Sequence, residues 1–196
     1  MFTGIVRAVG RVAEKAGGRL AIESAELAPG LQIGGSVAVN GACLTVTQVE
    51  GHVFFADVVP ETFRRTNLGA LLIGSAVNLE TPVTLQQPLD GHLVQGHVDG
   101  TAAVIDTRDV ELGREVTFQL PADLARFVAE KGSIAVDGTS LTVAGVTDES
   151  FAVALIPTTL AGTVARHYRP GTVVNLEVDL LARYAERLVR ASTPSG

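Results

Sequence analysis

The chain has no tryptophan, one methionine and one cysteine, and aromatic residues make up only 5 % of it. A lone cysteine excludes an internal disulfide, so Cys43 is either a small apolar filler or a chemical group. No Cys/His cluster has metal-ligand spacing, and neither a Walker loop nor a dinucleotide-binding glycine fingerprint occurs. No run approaches the eighteen or so apolar residues of a membrane helix, and residues 1–11 lack the basic-then-apolar order of a secretion signal. The cytoplasm is therefore the expected location, with no membrane partner. The 15 basic residues are outnumbered by 21 acidic ones and are scattered, which leaves no footprint for a polyanion, so nucleic acid is not an expected partner. What the chain does have is aliphatic residues: 46 % of its 196 positions are hydrophobic, enough for one large well-buried domain or two small ones.

Two small ones is the reading favoured by a repeated phrase. Val39 to Val46 reads VNGACLTV, and Val136 to Val143 reads VDGTSLTV. At an offset of 97, Gly35–Glu80 aligns with Gly132–Glu177 without a gap, and 18 of 46 positions are identical where composition alone gives roughly three. Pro60 falls on Pro157, Thr62 on Thr159, Thr66 on Thr163 and Gly74 on Gly171. Upstream the offset becomes 92, pairing Thr3–Val12 with Gln95–Val104. The chain thus reads as two modules, 1–88 and 89–178, followed by a tail, 179–196, without a counterpart in the first module.

Each module reads as β. Asn40-Gly41 and Asp137-Gly138 sit between β-branched runs, the strongest short-range hairpin signal. Further strands are expected over Gly4–Val12, Leu20–Ser24, Val53–Val59 and Ala76–Glu80, about six per module. Six short antiparallel strands avoid open edges most economically by closing into a barrel. A short helix is expected over Leu124–Glu130. A clearer one falls in the tail, where Leu181, Tyr184, Ala185 and Leu188 share a face after Asp179, a possible N-cap.

The chain start MFTGIV, the paired NGACLTV and DGTSLTV, PETFRRTNLG, GHLVQGHVDG and VNLEVDLLARYAER together resemble the riboflavin synthases, from Met1 to about Arg187. The resemblance implies an all-β fold of two six-stranded antiparallel Greek-key barrels related by a pseudo-twofold axis, plus a C-terminal α-helix that associates in a homotrimer. It implies the dismutation of two molecules of 6,7-dimethyl-8-ribityllumazine by transfer of a four-carbon unit, giving riboflavin and 5-amino-6-ribitylaminopyrimidinedione with no metal or cofactor. Donor and acceptor are the same compound, so a duplicated barrel offers each its own pocket. The sequence leaves open whether a lumazine synthase partner associates with the chain.

Carried over by position, the N-barrel lumazine is lined by Cys43, Leu44 and Thr45, by Asp57, Val58, Val59, Pro60, Glu61 and Thr62, and by Gly96, His97 and Val98. The C-barrel lumazine is lined by Ser140, Leu141 and Thr142, by Ile156, Pro157, Thr158, Thr159, Leu160 and Ala161, by Lys131, and by Gly4, Ile5 and Val6 from the chain start. Thr hydroxyls and Glu61 suit the polyol of the ribityl chain. In such a trimer the site forms between the N-barrel of one subunit and the C-barrel of its neighbour.

Four catalytic candidates follow. Cys43 adds to one lumazine or activates a nucleophile, while Ser140 at the equivalent position anchors the other lumazine or delivers water. His97 stands where the first copy has Ile5 and is a candidate proton carrier. Asp179 serves as an N-cap, a site residue, or both. His52, His92 and His167 are expected at the surface. Two departures from the family pattern stand out. Thr158 replaces a more usual His or Glu, with His167 or Arg169 as possible compensation, and Asp90-Gly91-His92 reads as a linker change of small consequence. The same fold also serves non-catalytic lumazine or flavin carriers, but survival of both repeated phrases and of Cys43 favours catalysis.

Overall fold

The computed structural model describes residues 1–192, so the last four residues of the tail lie outside the described chain. Twelve strands form two closed barrels. The first contains β1 (Ala8–Ala16), β2 (Arg19–Glu23), β3 (Ser36–Val39), β4 (Ala42–Glu50), β5 (Val53–Asp57) and β6 (Ala76–Glu80), in the order β1-β2-β5-β4-β3-β6. The second contains β7 (Gly100–Val110), β8 (Gly113–Gln119), β9 (Ser133–Val136), β10 (Thr139–Val146), β11 (Ser150–Leu155) and β12 (Val173–Val178), in the order β10-β11-β8-β7-β12-β9. Every pairing is antiparallel. Closure follows from chemistry: these are short β-branched strands that would otherwise expose unpaired edges.

Each barrel holds its own core. Val12, Leu20, Ile22, Val37, Val46, Phe54 and Leu79 fill the first; Val104, Val116, Phe118, Ile134, Val143, Phe151 and Leu176 fill the second. Short helices α1 (Pro60–Arg65) and α2 (Pro157–Gly162) follow β5 and β11, each started by a proline whose fixed φ suits the first helical turn. A third helix, α3 (Leu180–Ser192), closes the described chain.

The barrels meet back to back at their hairpins. Asn40-Gly41 (φ 44° and 78°) and Asp137-Gly138 (φ 44° and 73°) take the left-handed conformations of a type I′ turn. A Cβ on Gly41 would come within 2.7 Å of the Gly138 nitrogen, and one on Gly138 within 2.7 Å of the Gly41 nitrogen, so only glycine lets the turns touch. Around them lies a reciprocal amide network. Asn78 Nδ2 donates to the Asp137 carbonyl at 2.8 Å and Asn175 Nδ2 to the Asn40 carbonyl at 2.7 Å. The Asn67 amide donates to Asn175 Oδ1 at 2.6 Å and the Val164 amide to Asn78 Oδ1 at 2.8 Å.

Asymmetry enters where Asn40 is replaced by Asp137. Its carboxylate accepts from Asn67 Nδ2 (2.8 Å), from the Asn175 amide (2.8 Å) and from the Tyr168 hydroxyl (2.7 Å). Full burial nevertheless pushes its pKa up to about 6, and burial beside this carboxylate raises that of Tyr168 further from its ordinary value.

Three expectations shift. β1 begins at Ala8 rather than Gly4, because Thr3–Val6 leaves its own barrel for the other. Val53–Val59 is a strand only to Asp57, after which Pro60 starts α1. Leu124–Glu130 contains one 3₁₀ turn, Ala125–Phe127, rather than a helix, since Lys131 (φ 64°) turns the chain back toward β9.

Candidate active site

The segments preceding β1 and β7 exchange partners. The Ser140 amide donates to the Gly4 carbonyl at 2.7 Å, and the Cys43 amide donates to the Gly96 carbonyl at 2.9 Å. Gly4 (φ 75°) and Gly96 (φ 82°) are required there, because a Cβ on either would lie 2.6 Å from the Cβ of Ser140 or Cys43. Buried carboxylates hold both crossings. Glu80 accepts from the Thr3 amide (2.6 Å), the Thr3 hydroxyl (2.7 Å) and the Gly4 amide (3.0 Å). Glu177 accepts from the Gln95 (2.6 Å) and Gly96 (3.0 Å) amides. Burial raises the pKa of both carboxyls above the ordinary range, and these amide donors pull them partway back.

Each crossing completes a hollow. The N-barrel hollow, about 190 Å³, is lined by Ala42, Cys43, Glu61, Thr62, Arg65, Thr66, Gly96, His97 and Val98. The C-barrel hollow, about 270 Å³, is lined by Gly4, Ile5, Val6, Thr139, Ser140, Ile156, Thr158, Thr159, Gly162 and Thr163. Shifted by 97 or 92, all nine residues of the first fall on residues of the second, and Ile156 is the one addition. The duplication seen in sequence is therefore a duplication of pockets, and the two share no lining residue.

Several expected residues sit elsewhere. Leu44 and Val58 turn into the N-barrel core, and Leu141 and Leu160 pack against the C-barrel core. The reason for Leu44 and Leu141 is strand periodicity: with Cys43 and Ser140 facing the hollows, the next residue must face inward. Thr45, Asp57, Val59, Pro60, Thr142, Pro157 and Ala161 are exposed and line neither hollow. Lys131 is exposed at its own turn, outside both. His167 and Arg169 are not among the residues lining the Thr158 hollow; His167 borders the cleft between the barrels instead. His97 lines the N-barrel hollow and is exposed.

His92 is the main correction. Expected at the surface, it is half-buried with Nδ1 2.7 Å from Ser140 Oγ, while its Nε2 is buried without a hydrogen-bond partner among the described residues. Burial lowers its pKa from the ordinary value against a weaker raising influence of Asp179. A neutral imidazole touching a serine hydroxyl is a base next to a potential nucleophile or proton carrier. The Asp90–His92 linker is thus part of the C-barrel site: Asp90 takes φ 47°, and a Cβ on Gly91 would lie 3.1 Å from Ser140 Oγ. The repeat does not point to this histidine, which precedes the aligned segment Gln95–Val104. Asp179 caps α3, its Oδ1 accepting from the Leu181 amide at 2.9 Å. Among the described residues no group of His, Cys, Asp and Glu is arranged to hold a metal ion.

Two closed barrels of six strands, each with a hollow lined by repeat-equivalent residues, define a tandem-barrel protein. The lumazine binding domain matches twice, over residues 3–82 and 95–179, and the chain belongs to this family, in its riboflavin synthase branch. The riboflavin synthase of Mycobacterium tuberculosis is 47 % identical over 201 residues, covering 98 % of this chain and all of that one. The riboflavin synthase of Bacillus subtilis is 40 % identical over 195 residues, covering 96 % and 90 %. Among solved structures, LumP complexed with riboflavin superimposes with a TM-score of 0.83 at 25 % identity, over 91 % of this chain and 99 % of that one. LumP complexed with 6,7-dimethyl-8-(1'-D-ribityl) lumazine gives 0.82 at 23 %, over the same shares.

Proposed function

We propose that the chain converts two molecules of 6,7-dimethyl-8-ribityllumazine into riboflavin and 5-amino-6-ribitylaminopyrimidinedione. The observation that carries this is the pair of equivalent pockets, one built around Cys43 and one around Ser140. A four-carbon unit moves from one lumazine to the other, so the two products together contain the atoms of the two substrates and no outside reductant enters. Held in attack geometry, two bound reactants can gain about 7 to 11 kcal/mol over free ones. Thr62 and Thr159 face the polyols. Ser140 passes a proton to or from its lumazine with His92 as base, and Cys43 acts on the other ring.

The resemblance to the riboflavin synthases implies that the N-pocket of one subunit faces the C-pocket of another, and the two hollows, sharing no lining residue, are separate enough to serve one lumazine each. Residues 1–88 and 89–178 then form the two lumazine-binding barrels, each pocket completed by a segment of the other half (96–98 and 4–6), and 179–196 holds a homotrimer together. The cytoplasm is the compartment proposed. Incubating the purified chain with the lumazine tests the reading. Flavin fluorescence rising together with the pyrimidinedione supports it; binding without either product makes the chain a carrier, and no binding removes the reading.

A further inference from the structure

The two pockets differ most at the short helix that follows the fifth strand of each barrel. On α1, Glu61 and Arg65 lie one turn apart, ion-paired with Arg65 Nε 2.5 Å from Glu61 Oε1, and both line the N-barrel hollow. Arg64 pairs with the same carboxylate from the next position. On α2 the equivalent positions are Thr158 and Gly162. The carboxylate can accept two hydroxyl protons and the held guanidinium can donate to a third oxygen; a threonine offers one hydroxyl and glycine nothing. Losing both side chains also widens the pocket, from about 190 to about 270 Å³. At Gly162 it adjoins a further hollow of about 430 Å³ bordered by Arg7, Ser24, Glu26 and Arg166.

Resting on the lumazine-binding reading above, we infer that this chain grips the ribityl chain unequally: Glu61 and Arg65 make the N-barrel the tight, side-chain-selective pocket, while Thr158 and Gly162 leave the C-barrel the weak one. Filling of the C-barrel then sets the substrate concentration needed for turnover, and discrimination by side chain resides in the N-barrel.

Riboflavin and lumiflavin, which carries the same ring without the polyol, separate side-chain grip from ring contacts. Titrations of the full-length chain, followed by flavin fluorescence quenching, are expected to show two classes of riboflavin site about tenfold apart, the scale of one or two net hydrogen bonds, and one class for lumiflavin. Thr158→Glu with Gly162→Arg narrows the riboflavin gap to within about threefold, and Glu61→Thr merges both classes at the weak affinity. A Cβ at Gly162 meets no atom within 4 Å and the position carries no positive φ, so the arginine enters open space; an unchanged melting temperature verifies the fold. A single riboflavin class in the wild type, a gap that persists for lumiflavin, or a gap unmoved by the double variant overturns the inference. Failure of riboflavin to bind at all overturns the underlying reading, and the inference with it.

Discussion

At Ser140 the hydroxyl has one neighbour that can change its proton affinity, His92 at 2.7 Å. Burial depresses the His92 pKa, so the imidazole stays neutral to lower pH than a free histidine. Activity that depends on the neutral form is present above that depressed pKa and is lost as pH falls through it. The wild-type pH profile of kcat should therefore bend on its acid limb below pH 6.5, and His92→Gln should remove that bend while lowering the plateau about 10²-fold. Superimposable profiles after scaling would place the proton on another group. Asp137 gives a stability counterpart. Its folded pKa of about 6 lies above the ordinary 3.8, so its contribution is full below pH 4 and is lost as pH rises through 6. Asp137→Asn should accordingly gain melting temperature relative to wild type between pH 4 and 7, measured as the difference between two Tm-against-pH curves; a difference that is flat with pH would contradict the buried-carboxylate account. Residues such as these were the least visible in sequence. His92 lies in a linker outside the repeat, and Tyr168 meets Asp137 across 31 positions, a contact no local pattern encodes. Cys43 and Ser140 were visible because the repeat set one against the other.

At the scale of elements, the crossing segments tie each pocket to the opposite half of the chain. Gly96→Ala places a methyl 2.6 Å from Cys43 Cβ at φ 82° and should cost about 2 to 4 kcal/mol by crowding and left-handed strain, with riboflavin affinity falling in the N-barrel pocket first. Gly4→Ala should do the same to the C-barrel pocket. Thermal melts with flavin titrations distinguish the two; equal loss at both sites from either variant would contradict the exchange. The hairpins and strand order were legible because Asn-Gly and Asp-Gly turns and β-branched alternation are local rules. The exchange was not, since Gly4–Arg7 carries the same apolar pattern as a strand and only the partner barrel decides where it pairs. Helix α3 shows the converse. Its stripe was evident in the sequence, and the structure leaves Leu181, Tyr184 and Leu188 61–69 % exposed while Asp99–Arg183 and Arg126–Glu186 fasten the opposite side. Deleting residues after Leu180 should leave both barrels folded, while turnover per chain falls steeply on dilution; a fully active monomer in the ultracentrifuge would contradict the assembly role.

For the whole molecule, duplication supplies two pockets on one chain that share no lining residue, and the proposed reaction needs two filled pockets to face each other. In the proposed trimer two bound lumazines stack across a subunit contact, which turns an internal repeat into a demand for assembly. Each site in a trimer then draws its N-pocket from one chain and its C-pocket from the next. Cys43→Arg should block the first and Ser140→Arg the second, so that each variant alone is inactive. Co-expression of the two chains, with hybrid trimers counted by native mass spectrometry, tests this directly through lumazine turnover. Sites that combine the sound N-pocket of one variant with the sound C-pocket of the other should restore a substantial fraction of wild-type activity. Hybrid trimers that form in quantity yet produce no riboflavin would contradict the account.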